Sequence, residues 1–257
     1  MENSRGKNQR PLFEIDNNYI EILDISTIEL YKRCPLEYKH RFLPRNNQFD
    51  PQGGEVLLGR LLHAITADFL SFSVNDRSTK ANIDEYANKL KKYEFLGGNY
   101  YKIGIKAIEN IISGPLSKLP VQAIERSFKK YVDSFLLKGR IDCIARGERG
   151  DLIIDFKIDP QELEHHLDQC DRFLQLIFYC FGISGTLPVT TPFLAYYYYT
   201  NATIEMIKVT ESLISEGMDR IYYINSCRKN EKAYLPKKSY YCASCMIRIK
   251  GLCSLWL

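Results

Sequence analysis

The sequence predicts an α+β fold, and the changing spacing of its apolar residues is the main reason. Apolar residues recur at helical spacing before Pro120, alternate with polar residues after it, and return to helical spacing near the C-terminus. The predicted order is helices, strand hairpins, a helix, a strand pair and a helix. Because helices and strands are largely segregated along the chain, this order favours α+β over regularly alternating α/β architecture.

Helical spacing predicts that most of the N-terminal half is helical. Ser26 and Glu29 form a capping-box pattern, which predicts the start of a helix that Pro35 should kink or break. Glycine and prolines at 114–120 end the helical pattern. The expected helical segments are 26–42, 56–72 and two stretches within 81–113.

Period-two alternation predicts the strands of the second half. Three strands are expected at 121–128, 133–146 and 152–157, and two more at 194–200 and 203–210. Between these groups we expect a long helix at 161–181, and after them a helix at 211–228. The tyrosines at 196–199 are expected to alternate between the core and an exposed sheet surface.

Length and composition predict one domain with additions. The 257 residues divide into a polar leader at 1–24 and a single domain at 25–257, with a helical insertion at 75–119 and a cysteine-rich tail at 227–257. No apolar run is long enough to span a bilayer, and the leader lacks an apolar signal core, which predicts a cytoplasmic protein. In that compartment the eight cysteines are expected to be thiols or metal ligands. The net charge of +4 permits a polyanionic partner without requiring one.

The strongest chemical pattern is a pair of aspartates followed by a lysine. Asp155 and Lys157 are two apart on one strand, so their side chains leave the same face. Asp142 precedes them across a tight turn, and an antiparallel hairpin can bring it beside Asp155. Close carboxylates repel unless a cation or proton lies between them, and oxygen ligands suit Mg²⁺ or Mn²⁺. The alternative is a surface strand whose charges provide solubility, but its apolar neighbours indicate a buried strand.

The segments GRID and IIDFK resemble the core of RecB-like PD-(D/E)XK nucleases, including the CRISPR-associated and AddB types. The resemblance extends to the opening segment ISTIELYKRCPLEY, to Gly59 with His63 as a G-x-x-x-H motif, and to Gln175 with Tyr179 as a Q-x-x-x-Y motif. It implies a restriction-endonuclease-like core, a mixed central sheet flanked by helices.

The resemblance also implies roles for these residues. His63 would join Asp142 and Asp155 as a ligand of Mg²⁺ or Mn²⁺, and Lys157 would act on the attacking water. Gln175 and Tyr179 would position the strand or support Lys157. Taken singly, His63 could be a core histidine, and the glutamine and tyrosine an ordinary helix face.

The cysteine tail predicts a second metal site. Cys242, Cys245 and Cys253 form a C-x₂-C-x₇-C pattern, and Cys34 could supply the fourth thiolate. Zinc is the default metal for such a set, whereas the family resemblance implies a [4Fe–4S] cluster that joins the two ends of the chain. Cys227 is the reserve ligand because the last spacing is long. The remaining cysteines are expected in the core: Cys143, Cys170 and Cys180.

Basic residues near the carboxylates predict contacts with nucleic-acid phosphates. They are Arg126, Lys129, Lys130, Lys138 and Arg140, with Lys237 and Lys238 ahead of the tail. The predicted function is a metal-dependent deoxyribonuclease, an exonuclease acting on single-stranded DNA or DNA ends, with possible protein partners in a repair or CRISPR complex. Two alternatives stay open: a non-catalytic DNA-binding or scaffold subunit, and a zinc-stapled interaction module.

Overall fold

The computed structural model describes residues 14–15, 18–43, 54–80, 83–91, 98–163, 168–186, 192–243 and 245–256. Most of the predicted polar leader, and parts of the helical insertion, therefore lie outside the described residues. Within the described ranges, no helix combines the length and apolar character needed to cross a bilayer.

A mixed sheet forms the centre of the protein. Strands β1 and β2 pair with each other near the N-terminus, and β3 to β8 form a six-stranded sheet. The pairs β3–β5 and β6–β7 are parallel, and the other pairs are antiparallel. The strands are β1 Glu14–Ile15, β2 Asn18–Tyr19, β3 Glu21–Asp24, β4 Val121–Val132, β5 Phe135–Arg146, β6 Asp151–Lys157, β7 Phe193–Tyr198 and β8 Thr203–Lys208.

Strand β5 creates a split in this sheet. One edge of β5 pairs with β4 along its length. The other edge pairs with β3 at residues 135–138 and with β6 at residues 143–146. Residues 139–142 therefore have no strand partner on that edge among the described strands, and the split gives side chains there access to a cleft.

Helices cover both faces of the sheet. One core packs α1, α8 and α9 against it, and the other packs α3, α5 and α6 against the opposite face. The helices are α1 Ile25–Arg33, α2 Pro35–Phe42, α3 Gly54–Ser71, α4 Arg77–Lys80, α5 Ile83–Lys91, α6 Gly98–Ser113, α7 Gln169–Arg172, α8 Leu174–Ile183, α9 Glu211–Asn230 and α10 Met246–Ile249. A mixed sheet flanked by helices confirms the predicted α+β class.

Because helices cover both faces of the sheet, the prediction for the tyrosines at 196–199 needs correction. All four tyrosines are buried, each at most 2% exposed. Tyr196 and Tyr198 belong to one core, and Tyr197 and Tyr199 to the other. The expectation of an exposed half was wrong because β7 lies between β6 and β8, with helices on both of its faces.

The start of α1 also differs from the prediction. Asp24, not Ser26, is the N-cap: its Oδ1 accepts hydrogen bonds from the Ser26 backbone N–H at 2.9 Å and from its hydroxyl at 2.6 Å. The prediction that Ser26 starts this helix in a capping box was therefore wrong. The predicted break at Pro35 is confirmed, since α1 ends at Arg33 and α2 begins at the proline, with Cys34 extended between them.

The helix predicted at 161–181 is not continuous. A 3₁₀ turn covers Pro160–Leu163, and α7 and α8 are separated at Phe173. Asp168 caps α7 by accepting a hydrogen bond from the Asp171 N–H. Residues 164–167 lie outside the described residues. Gln175 and Tyr179 lie one turn apart on α8.

Candidate active site

A cleft of about 1140 Å³ opens at the split in the sheet. The six candidate residues all line it. His63 comes from α3, and Asp142 comes from β5. Asp155 and Lys157 come from the end of β6, and Gln175 and Tyr179 come from α8.

The side-chain amide of Gln175 connects Lys157 to the Asp155 carboxylate. Lys157 Nζ lies 2.7 Å from Asp155 Oδ2 and donates a hydrogen bond to Gln175 Oε1 at 3.0 Å. Gln175 Nε2 donates to Asp155 Oδ1 at 2.8 Å and to the Tyr179 hydroxyl at 2.9 Å. Gln175 therefore fixes both charged side chains at once, and Tyr179 helps to fix Gln175.

Asp155 is the most enclosed carboxylate of the cleft, at 3% exposure. Burial, with the nearby charge of Asp142, raises its pKa to about 6 despite the opposing effect of Lys157. Its Oδ2 contacts the Lys157 ammonium but has no hydrogen bond of acceptable geometry among the described residues. This oxygen already faces a cation, the lysine ammonium, so a divalent ion would share the oxygen with Lys157 or displace that contact. Below pH 6 a proton would compete for the same oxygen.

The His63 imidazole and the Asp142 carboxylate face each other, and this arrangement favours a proton or a metal ion between them. His63 Nε2 lies 3.2 Å from the backbone carbonyl of Phe156, which can only accept, so this nitrogen donates. The other nitrogen, Nδ1, lies 3.5 Å from Asp142 Oδ2. Two lone pairs at this distance repel unless Nδ1 carries a proton or the two groups share a metal ion.

The electrostatics of this pair agree with its geometry. Burial alone would lower the pKa of His63 and raise that of Asp142, but the hydrogen bond and charge interaction between them outweigh it. The pKa of His63 is raised and that of Asp142 is lowered. Asp142 Oδ2 also accepts from the Phe156 N–H at 3.0 Å, which holds the carboxylate at the end of β6.

Glu125, which sequence reasoning missed, lies beside His63 and Asp142 and forms an ion pair with Arg140 at 2.8 Å. One ligand atom each from Glu125, His63 and Asp142 lie within 4.8 Å of one another. Ligands around one ion with bonds of about 2.1 Å lie at most about 4.2 Å apart, so the group is close to the spacing that one ion requires. Glu125 also has φ of +50°, a left-handed conformation uncommon for a residue other than glycine and often found at functional sites. Only the pairing of β4 with β5 brings it here, and no local motif identifies it.

We expect Glu125→Gln to weaken Mn²⁺ binding by at least about tenfold, because an amide replaces a charged oxygen ligand. Calorimetric titration of Mn²⁺ would measure the change. Glu109→Gln, which removes a carboxylate from the exposed surface of α6, is the matched control. Equal Mn²⁺ affinity in both variants would exclude Glu125 as a ligand.

Four cysteines converge at a second, smaller cavity of about 20 Å³. Those lining it are Cys34, Cys242, Cys245 and Cys253. Within the described part of the chain, no three sulfurs all lie within 4.8 Å of one another. The reserve candidate, Cys227, does not line this cavity and packs instead beside Tyr31 on α1.

The cysteine cavity adjoins the cleft. Cys245, Glu37 and Tyr241 line both spaces. Arg33 and Arg41 form ion pairs with Glu37, and Arg33 also lies 4.3 Å from the centre of the Tyr241 ring. The region around the four cysteines therefore forms one wall of the cleft.

A mixed sheet flanked by helices, split where two carboxylates and a lysine meet, is consistent with a restriction-endonuclease-like core. A family model confirms the class: the PD-(D/E)XK nuclease superfamily model matches residues 23–248, so the chain belongs to this superfamily.

Among solved structures, the chain is similar to a "Putative exonuclease" from Eubacterium rectale. The TM-score is 0.53 at 12% identity, over 88% of this chain and 87% of that one, which supports a shared fold alone. A second similar structure, SSO0001, has a TM-score of 0.32 at 16% identity, over 79% of this chain and 98% of that one. No curated protein matches the sequence.

Proposed function

We propose that the protein is a metal-dependent nuclease that hydrolyses phosphodiester bonds in DNA. The observation that carries this proposal is the convergence of His63, Asp142, Asp155 and Lys157 in one cleft. Superfamily membership supports the reaction class, and the ligand atoms of Glu125, His63 and Asp142 within 4.8 Å of one another support a bound cation.

In this proposal three carboxylates and one imidazole hold Mg²⁺ or Mn²⁺: Asp142, Asp155, Glu125 and His63. The imidazole nitrogen is a softer donor than carboxylate oxygen and favours Mn²⁺ of the two ions. When bound, the ion would lower the pKa of a coordinated water and stabilise charge on the phosphate.

Lys157 has a separate role in the proposed reaction. Although burial works against its charge, the Asp155 carboxylate holds its pKa well above the usual value. Lys157 therefore stays protonated across the physiological range and serves as a positive donor that stabilises the phosphate or orients the water. Gln175 is a positioning residue through its hydrogen bonds to Lys157 and Asp155, and Tyr179 positions Gln175 in turn by accepting a hydrogen bond from its Nε2.

We further propose that the four converging cysteines hold a [4Fe–4S] cluster. This proposal is supported by the four cysteines lining one cavity and by the resemblance of their order to that of the cluster-bearing nucleases. Such a cluster would connect Cys34, between α1 and α2, to the C-terminal tail.

The expected substrate is single-stranded DNA or a DNA end, and the expected mode of cleavage is exonucleolytic.

The test is digestion of end-labelled single-stranded DNA, duplex DNA and RNA by anaerobically purified protein. We expect DNA cleavage with Mn²⁺ or Mg²⁺ and none with EDTA. Activity should fall as the pH is lowered through about 6, because protonation of Asp155 removes a charged ligand. A folded protein that binds DNA but never cleaves it would indicate a non-catalytic DNA-binding subunit and contradict the proposal.

A further inference from the structure

The basic residues near the cleft separate into two groups in the structure. Lys130 donates hydrogen bonds to the Phe181 carbonyl at 2.9 Å and the Ser184 hydroxyl at 2.6 Å, so it stabilises the end of α8. Arg126 does not line the cleft. Lys129, Lys138 and Arg140 do line it, on the exposed face of the β4–β5 hairpin.

Lys129 and Lys138 are directly opposite each other across the two strands. Both are exposed, and neither has an ion-pair or hydrogen-bond partner among the described residues. Like charges in directly opposed strand positions destabilise a hairpin. An anion held between the two ammonium groups would remove that repulsion.

The position of this pair relative to the carboxylates fits an extended polyanion. Lys138 precedes Asp142 by four residues on β5, a distance of about 13 Å along a strand. The next cross-strand pair on this face toward the carboxylates is Ser127 with Arg140, which lines the cleft and forms an ion pair with Glu125 at 2.8 Å. The opposite side carries Glu37, Glu55 and Glu162, and the two arginines there, Arg33 and Arg41, are both paired with Glu37, so negative backbone charge is favoured along the hairpin.

We propose that Lys129 and Lys138 together bind one backbone phosphate of the nucleic acid whose scissile phosphate lies at the metal residues. The strand then runs along the exposed face of the β4–β5 hairpin, from Asp142 toward the hairpin turn at residues 133–134. This inference rests on the proposed nuclease function and adds the path of the substrate to it.

The test compares Lys129→Ala/Lys138→Ala with Lys118→Ala/Lys208→Ala. The control pair removes two exposed lysines that do not line the cleft. Affinity for a fluorescent single-stranded oligonucleotide is measured at several salt concentrations, with all proteins in an Asp155→Asn background to prevent cleavage. We expect about tenfold weaker binding for the cleft variant and a salt slope reduced by about 0.7 for the lost phosphate contact.

Two further measurements separate binding from stability. Removing the opposed charges should leave the melting temperature unchanged or higher, whereas a structural role would lower it. Lys129→Arg/Lys138→Arg should restore binding because it keeps both charges. In the otherwise wild-type background, the cleft variant should show a raised KM with kcat nearly unchanged.

The outcomes distinguish this inference from the proposed function. If the wild-type protein cleaves DNA and the cleft variant matches the control in affinity and salt slope, the hairpin path is wrong and the nuclease function stands. A wild-type protein that neither binds nor cleaves nucleic acid overturns both.

Discussion

Asp155→Asn is expected to lower kcat/KM for DNA hydrolysis by at least about a thousandfold. The substitution removes the charge of an enclosed cation ligand but keeps an oxygen that can accept from Gln175. We therefore expect the loss in metal binding and catalysis, together with some loss of stability, because Lys157 loses its buried carboxylate partner. Initial rates on end-labelled DNA at saturating Mn²⁺ would measure it.

Metal binding by the Asp155→Asn variant can also be measured without an activity assay. Ions at about 100 times their dissociation constant stabilise a folded protein by about 2.7 kcal/mol, so Mn²⁺ should raise the melting temperature of the wild type. We expect no such rise in Asp155→Asn. Asp68→Asn, on the exposed surface of α3, should behave as the wild type in both measurements. A folded Asp155→Asn protein with full activity would end the site assignment.

Cys34→Ser is expected to release the proposed metal group and to lower the free energy of unfolding by at least about 3 kcal/mol. A bond between Cys34 and the tail closes a loop over most of the chain, and such loops restrict the unfolded ensemble strongly. Three large apolar residues of the tail are exposed, Ile249 at 63%, Leu252 at 46% and Leu255 at 48%, so its apolar packing in the described residues rests mainly on Ile247, at 3%. Iron and zinc analysis, visible absorbance and denaturant unfolding would measure both effects.

Cys227→Ser is the matched control for Cys34→Ser. Cys227 is also only partly buried but lies away from the cavity formed by the other four, so its substitution should change neither metal content nor stability by much. Limited proteolysis should cleave the C-terminal tail in Cys34→Ser and spare it in the control. Equal metal content and stability in the two variants would contradict the cysteine site, and stoichiometric zinc in an anaerobic preparation would contradict the iron–sulfur cluster.

The parts of the fold that the sequence predicted well depend on local pattern. Apolar periodicity placed α3, α9 and the strands of the central sheet, and Pro35 placed the break before α2, because backbone geometry sets these features over a few residues. Predictions that depended on distant partners were less successful. The tyrosine run was expected to be half exposed because its covering helices are far away in sequence.

The residues of the candidate site also divide into those that a local pattern identifies and those whose place depends on distant partners. Asp155 with Lys157, and Gln175 with Tyr179, are recognisable because each pair shares one face of one element. Glu125 was missed because its place beside Asp142 depends on how β4 pairs with β5, and its left-handed backbone has no sequence signature. The lysine pair was visible only as part of a general basic cluster.

The sequence by itself determined the fold class, the order of the motifs and the residue types available for metal chemistry, because hydrophobic spacing and motif spacing are properties of short segments. Only the tertiary structure decided that β5 divides its free edge between β3 and β6, that His63 and Glu125 meet Asp142 at this split, and that the two lysines oppose each other. These placements arise from strand register and packing between residues far apart in the chain, which no local pattern encodes.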